Sequence, residues 1–172
     1  MLTSRAKLIR LMAFDVDGVL TDGGLYYSDS GEEFKRFNSQ DGHGLKMLRA
    51  SGMEIAIITG RTSNCVTARA GNLGIEHVYQ GVENKLEAMV DLLNKLKLPR
   101  DAAAYMGDDV VDLTVMCHVG MAITVPDAPL LVRERSHYIT QHNGGHGAVR
   151  EACEMIMTAQ GTLDQQLAHY LR

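Results

Sequence analysis

Short apolar runs that end in glycine or acid, each followed by a helical segment, recur along this chain. Residues 8–14 (LIRLMAF), 54–60 (EIAIITG), 102–109 (AAAYMGDD) and 121–125 (MAITV) each contain a run of three or more consecutive apolar side chains. A strand with one wet face would alternate, so these strands are expected to be covered on both faces. Between them lie helical stretches near 42–52, from about 64 to Leu73 with Gly74 as its stop, 84–97 before Pro99, 110–118, about 127–133, and from 147 onward. Residues 77–82 (HVYQGV) and 137–140 (HYIT) supply two further short strands. Strands alternating with helices predict an α/β, Rossmann-like fold, a mostly parallel sheet with helices on both faces. One segment breaks the alternation. In GGLYYSDSGEEFKRFN, aromatic pairs flank the turn residues Ser28–Gly31, which reads as a β-hairpin within about 19–38.

The 172 residues suit a single domain, 1–172, with the hairpin as a flap and a tail at about 161–172. Several functions are disfavoured at once. A net charge of −4, no Trp, six Tyr and three Phe argue against a nucleic-acid partner. No stretch approaches the roughly 20 apolar residues of a membrane span. Cys65, Cys117 and Cys153 form no CxxC pair, so they read as reduced thiols, buried or partly buried, and the expected location is the cytoplasm.

The strand ends carry the chemistry. In FDVDGVLTDG, residues 14–23, Asp15, Asp17 and Asp22 crowd behind the first apolar run, and Asp108, Asp109 and Asp112 crowd behind a later one. One aspartate at a strand end is ordinarily a helix cap or a solvated turn. Two clusters are different, because active sites in parallel sheets lie beyond the carboxyl ends of the strands and the clusters then share one edge. Grouped carboxylates repel unless a hard cation such as Mg²⁺ sits among them. At the same edge, Thr59 and Gly60 of ITGR form a turn able to cradle phosphate oxygens. Lys85 stands at the start of a helix, where its charge opposes the dipole, as expected for a group facing an anion. Phosphate chemistry is the common denominator.

In these residues the chain resembles the haloacid dehalogenase superfamily of phosphotransferases. DVDGVLTDG matches its first motif, Thr59 the second, Lys85 the third and GDDVVD the fourth, in the right order over nearly the whole chain. More narrowly, FNSQDGHGLKML, IITGRTS, YQGVENKL, YMGDDVVDL and GGHGAVREACEMIMTAQG resemble the 3-deoxy-D-manno-octulosonate 8-phosphate phosphatase family. Its members act in lipopolysaccharide precursor synthesis. The resemblance implies a capless core, a Mg²⁺-dependent phosphomonoesterase acting on a small sugar-acid phosphate, and a homotetramer. Asp15 would be the nucleophile and Asp17 the general acid and base, with Thr59 and Lys85 neutralising the transferring phosphoryl oxygens. The metal would be held by Asp15, the Asp17 carbonyl and Asp108, backed by Asp109 and Asp112. Substrate contacts would come from Asp17, Asn38, Ser39, Gln40, Asp41, Gly42, Lys46, Gly60, Arg61, Arg69 and Lys85. Arg61 and Arg69, eight apart, could share a face toward the sugar carboxylate.

Gln40 and His146 stand where the resemblance leads one to expect cations, and His43 where it leads one to expect an aromatic ring. They bear on the exact sugar and leave the reaction untouched. His142 and His146 are spaced i, i+4, but the glycines between them favour a loop over a metal site. Three other readings compete. A phosphatase of nine-carbon sialic or deaminononulosonic acid 9-phosphates would share every motif. A catalytically silent regulatory module of sugar-acid activation is disfavoured by the intact Asp15, Asp17, Thr59, Lys85 and Asp108. A signalling receiver domain would need its phospho-acceptor on a later strand. With no inserted cap domain, neighbouring subunits are expected to close the site, through the hairpins and the C-terminal segment.

Overall fold

All four side chains of the first apolar strand are buried, as coverage on both faces requires. The computed structural model describes residues 2–171. In chain order its elements are α1 (Leu2–Leu8), β1 (Leu11–Phe14), β2 (Tyr26–Tyr27), β3 (Glu33–Phe34), α2 (Ser39–Ala50), β4 (Glu54–Ile58), α3 (Asn64–Leu73), β5 (His77–Tyr79), α4 (Lys85–Leu96), β6 (Ala103–Met106), α5 (Leu113–Met116), β7 (Met121–Thr124), α6 (Leu130–Glu134), β8 (Tyr138–Ile139), α7 (Ala148–Gln160) and α8 (Leu163–Leu167). Six strands form one parallel sheet in the order β5–β4–β1–β6–β7–β8, and β2 and β3 pair antiparallel as a separate hairpin. Helices α1, α2 and α7 pack together as one group, α4 and α5 as another. The expected α/β architecture is the one observed.

The sheet fixes where a site can form. The chain steps outward from β1 to β4 and β5, then returns to lay β6 on the other side of β1. Such a reversal opens a crevice beyond the strand ends. Register sharpens this: Phe14 lies opposite Ile57 on one side and Met106 on the other. The residues that follow, Asp15, Ile58–Thr59 and Gly107–Asp108, therefore leave the sheet at one level.

Four local differences from the expectations have physical causes. Residues 2–8 are helical and the strand begins at Leu11, because LTSRAKL is rich in helix formers and buries Ala6. Helix α2 starts at Ser39 rather than in the early forties. The Asn38 side chain accepts from the Gln40 and Asp41 amides, at 2.8 and 3.1 Å, and caps it there. Cys117 is exposed, while Cys65 is partly buried and Cys153 buried. The tail is folded: Leu163 and Leu167 pack against the core, and the Tyr170 ring meets the edge of His43 at 5.4 Å between centroids. Residue 172 lies outside the described residues.

Candidate active site

Asp15 follows β1 and is nearly buried; its Oδ1 accepts from the Val16 amide at 2.7 Å. The loop then winds through Asp17 to Gly18, whose φ is +84°, and closes where the Thr21 amide donates to the Val16 carbonyl at 3.0 Å. A β-carbon on Gly18 would fall 2.0 Å from an Asp108 carboxylate oxygen. Positive φ and this near-contact together demand glycine. On the far side, the Gly145 amide donates to the Val19 carbonyl at 3.1 Å, and a β-carbon at Gly144 would overlap the Gly18 carbonyl. The loop is clasped between β6 and the segment before α7.

Lys85 opens α4 behind the Asn84 cap and turns inward, 5% exposed. Its Nζ lies 2.9 Å from Asp15 Oδ2 and 2.7 Å from Asp112 Oδ1. Burial alone would lower the ammonium's pKa; Asp15 and Asp112 outweigh it and raise the pKa above its ordinary value. Asp112 is fully buried and serves four donors: Lys85 Nζ, the Tyr105 hydroxyl at 2.9 Å, and the amides of Asp108 and Asp109 at 3.0 and 3.1 Å. It is an anchor that fixes a lysine and a loop. Tyr105, in an otherwise Ala and Met strand, was not singled out from the sequence. The same hydroxyl oxygen lies 3.2 Å from the Ile58 carbonyl, a second acceptor for its one proton, which links β6 to the end of β4.

Asp15, Asp108 and Asp112 bring carboxylate oxygens within 4.8 Å of one another. Burial, then the charges of Asp112, Asp15 and Asp109, push Asp108 up to about 7. Burial, then the charge of Asp112, pushes Asp15 up to about 6 against the pull of Lys85. Asp112 has its oxygens committed to donors, whereas Asp15 and Asp108 face the cavity with more negative charge than Lys85 balances. That donor set, all hard oxygen, fits a divalent cation such as Mg²⁺. Both carboxyls bind protons more readily in the folded chain than in the unfolded one. Without a cation, stability therefore falls as pH rises from about 4 through about 7. A cation competes with those protons. The gain in melting temperature on adding Mg²⁺ over a chelator is expected to be small near about pH 5 and larger near about pH 8. Equal gains at both would contradict this electrostatic account.

The cavity at this edge holds about 390 Å³ and is lined by Asp15, Asp17, Thr59, Gly60, Arg61, Lys85, Asp108 and Asp109, with Val82 and Val111 as apolar walls. The strand-end residues expected to meet do so. The expected sugar contacts divide. Arg61 borders the cavity, with Nε 3.6 Å from Asp17 Oδ2 and Nη2 3.1 Å from Glu33 Oε1. Arg69 does not join it: its Nη2 donates to the Asn38 carbonyl at 3.1 Å and its guanidinium covers the Phe37 ring. Asn38, Asp41, Gly42 and Arg69 line a separate crevice of about 10 Å³, room for about one water. Asp41 is buried and accepts from the Arg150 amide at 2.8 Å, so its carboxylate ties down α7. Within one chain, then, Arg61 and Arg69 open on different cavities, and Asp41 lies with Arg69. Ser39, Gln40 and Lys46 are exposed outside the cavity. His142 pairs with Glu151 at 2.7 Å and His146 approaches Arg36 at 3.5 Å, a loop arrangement as expected.

Comparison with known proteins agrees with this geometry. Residues 67–152 match the family model of haloacid dehalogenase-like hydrolases. The 3-deoxy-D-manno-octulosonate 8-phosphate phosphatase of Escherichia coli K12 is 48% identical over 162 residues, 94% of this chain and 86% of that protein. The crystal structure of the Moraxella catarrhalis phosphatase of the same name, in complex with magnesium, phosphate and KDO, is 46% identical. It superposes with a TM-score of 0.96 over 98% of this chain and 97% of that one. The cobalt-bound Haemophilus influenzae enzyme is 36% identical, with a TM-score of 0.92 over 98% and 99%. The chain belongs to the haloacid dehalogenase-like hydrolases, in the family of 3-deoxy-D-manno-octulosonate 8-phosphate phosphatases.

Proposed function

We propose that the chain is a Mg²⁺-dependent phosphomonoesterase that hydrolyses 3-deoxy-D-manno-octulosonate 8-phosphate to the free sugar acid and phosphate. One observation carries this most directly. Asp15, nearly buried, points a carboxylate held 2.9 Å from Lys85 into a cavity also faced by Asp17, Thr59 and Asp108. The relatives named above, alike over nearly their whole length, support the same substrate.

Asp15 attacks phosphorus, forming a carboxyl–phosphate bond as the bond to the sugar oxygen breaks. The Asp17 carboxyl gives its proton to the departing oxygen. Asp17, now a carboxylate, takes a proton from the water that attacks the aspartyl-phosphate, which restores Asp15 and releases phosphate. Lys85 and Thr59 hold the transferring oxygens and offset their charge. Asp15, the Asp17 carbonyl and Asp108 would hold Mg²⁺, with Asp109 and Asp112 behind them. When bound, the ion supplies further neutralisation of phosphoryl charge. Arg61 suits the carboxylate of the sugar acid.

The chain acts as one domain over 1–172, in the cytoplasm, as a homotetramer. Leu25, Tyr26, Tyr27 and Phe34 of the hairpin are each about half exposed, which supports association there. Asn38, Ser39, Gln40, Gly42, Lys46 and Arg69 would then meet substrate only through the assembled particle. The test is phosphate release from the eight-carbon acid 8-phosphate, nine-carbon acid 9-phosphates and hexose phosphates, on material sized by light scattering. We expect the eight-carbon acid to be preferred by at least roughly tenfold in kcat/KM, and a tetrameric mass. Preference for a nine-carbon acid would reassign the substrate, and full activity from a monomer would remove the role given to neighbouring subunits.

A further inference from the structure

The hairpin reaches back into the site through Lys35, the residue after β3. Its Nζ lies 2.5 Å from Asp17 Oδ1, and the side chain is 2% exposed although it starts from a surface ribbon. Glu33 stands 3.4 Å from the same ammonium. Arg61, 44% exposed, is 3.6 Å from the other oxygen, so the tight contact to Asp17 is the one from Lys35. Strands of two residues give a hairpin little stability of its own. It is held instead by polar latches: Lys35 on Asp17, Arg61 on Tyr27 and Glu33, and the Tyr26 hydroxyl on Asp22 at 2.6 Å.

Asp17 needs such a hold. It sits in a loop, 21% exposed at its side chain, and the next residue is a glycine at positive φ. Nothing in its own segment fixes the carboxylate, yet proton transfer to a leaving oxygen tolerates little misplacement. A buried ammonium donating to Oδ1 from 2.5 Å is a charge-assisted bond that selects one side-chain orientation and leaves Oδ2 for the proton that is transferred. We propose that Lys35 is a positioning residue that aims the Asp17 carboxylate at the leaving-group oxygen, so that the seating of the hairpin sets the acid–base step. This rests on the reading of Asp17 as the acid and base.

The experiment separates proton transfer from the rest by the leaving group. p-Nitrophenyl phosphate expels an oxygen that needs no proton, whereas a sugar phosphate expels one that does. Wild type, Lys35→Met, Lys35→Gln, Lys35→Arg and Asp17→Asn are compared, with Mg²⁺, in steady state on the sugar-acid phosphate and in pre-steady-state nitrophenol release. For K35M and K35Q we expect roughly a 100-fold loss of kcat on the sugar phosphate. The nitrophenol burst should stay within about threefold of wild type and be followed by slow turnover as phosphoenzyme accumulates, since water activation also uses Asp17. K35R should recover most of the loss. Wild-type rates in both neutral variants, or an equal loss on both substrates including the burst, overturn the proposal. D17N is the reference: if it shows no leaving-group dependence, the assignment of Asp17 itself falls; if it does and K35M does not, only Lys35 is misassigned.

Discussion

Asp15→Asn is expected to abolish turnover, by roughly 10⁵-fold or more, while leaving the protein folded. The loss is large because the amide neither attacks phosphorus nor leaves an acyl phosphate for water to open. The fold survives for a reason visible in the site. Asp15 is a strained carboxylate whose pKa is pushed up to about 6 by burial and by Asp112, so removing its charge relieves a repulsion. Lys85 keeps Asp112 at 2.7 Å, so its ammonium is not stranded. The measurement is phosphate release together with trapping of a hydroxylamine-sensitive phosphoenzyme, checked by thermal unfolding. Residual turnover above about 1% of wild type, or a phosphoenzyme still trapped in D15N, would move the nucleophile elsewhere.

Asp112→Ala should be damaging in a different way. Its carboxylate is fully buried and serves Lys85, Tyr105 and two loop amides. Truncation leaves two loop amides without their acceptor, the Tyr105 hydroxyl with the Ile58 carbonyl alone, and the ammonium with Asp15 as its one counter-charge. Breaking a buried pair from one side costs about 3–5 kcal/mol, which for a chain of this length is a fall of roughly 10 °C in Tm. Activity should drop roughly 100-fold even in the cold, because Lys85 and the 107–109 loop lose the anchor that aims them. Calorimetry and steady-state rates below the transition check both halves. A D112A protein with unchanged Tm would show that water replaces the carboxylate, and the anchor role would be withdrawn.

These two residues also mark what can be read from a sequence. Asp15, Thr59, Lys85 and Asp108 were legible because each is set by short-range pattern: an apolar strand, its end, and the first turn beyond. Parallel pairing then brings the ends level. Asp41 was not legible. It lies in a segment that reads as substrate-facing, yet its partner is the Arg150 amide, 109 residues on. Arg69's contact was not legible for a similar reason, since a helix-borne arginine does not announce that it will clip the Asn38 carbonyl. Lys35 was missed because strands of two residues leave no alternation from which to judge which way a side chain points. Tyr105 did carry a signal: a hydroxyl in a fully buried strand must find an acceptor, and the nearest acids in sequence are those of GDDVVD.

The clasp on the Gly18 loop has a consequence in time. Asp15 precedes the other residues of the site in the chain, and its strand is central, so it waits for β4 and then β6 before it has neighbours on both sides. Even then the loop bearing Asp17 lacks its outer support, which comes from Gly144 and Gly145, beyond β8. A nascent chain stopped at residue 140 would hold every acid, the threonine and the lysine of the site, and still lack the backbone that presses Gly18 into place. Asp15 is made before the other residues of the site, yet its loop is among the last parts to be set, because the backbone that seats it is synthesised after them all.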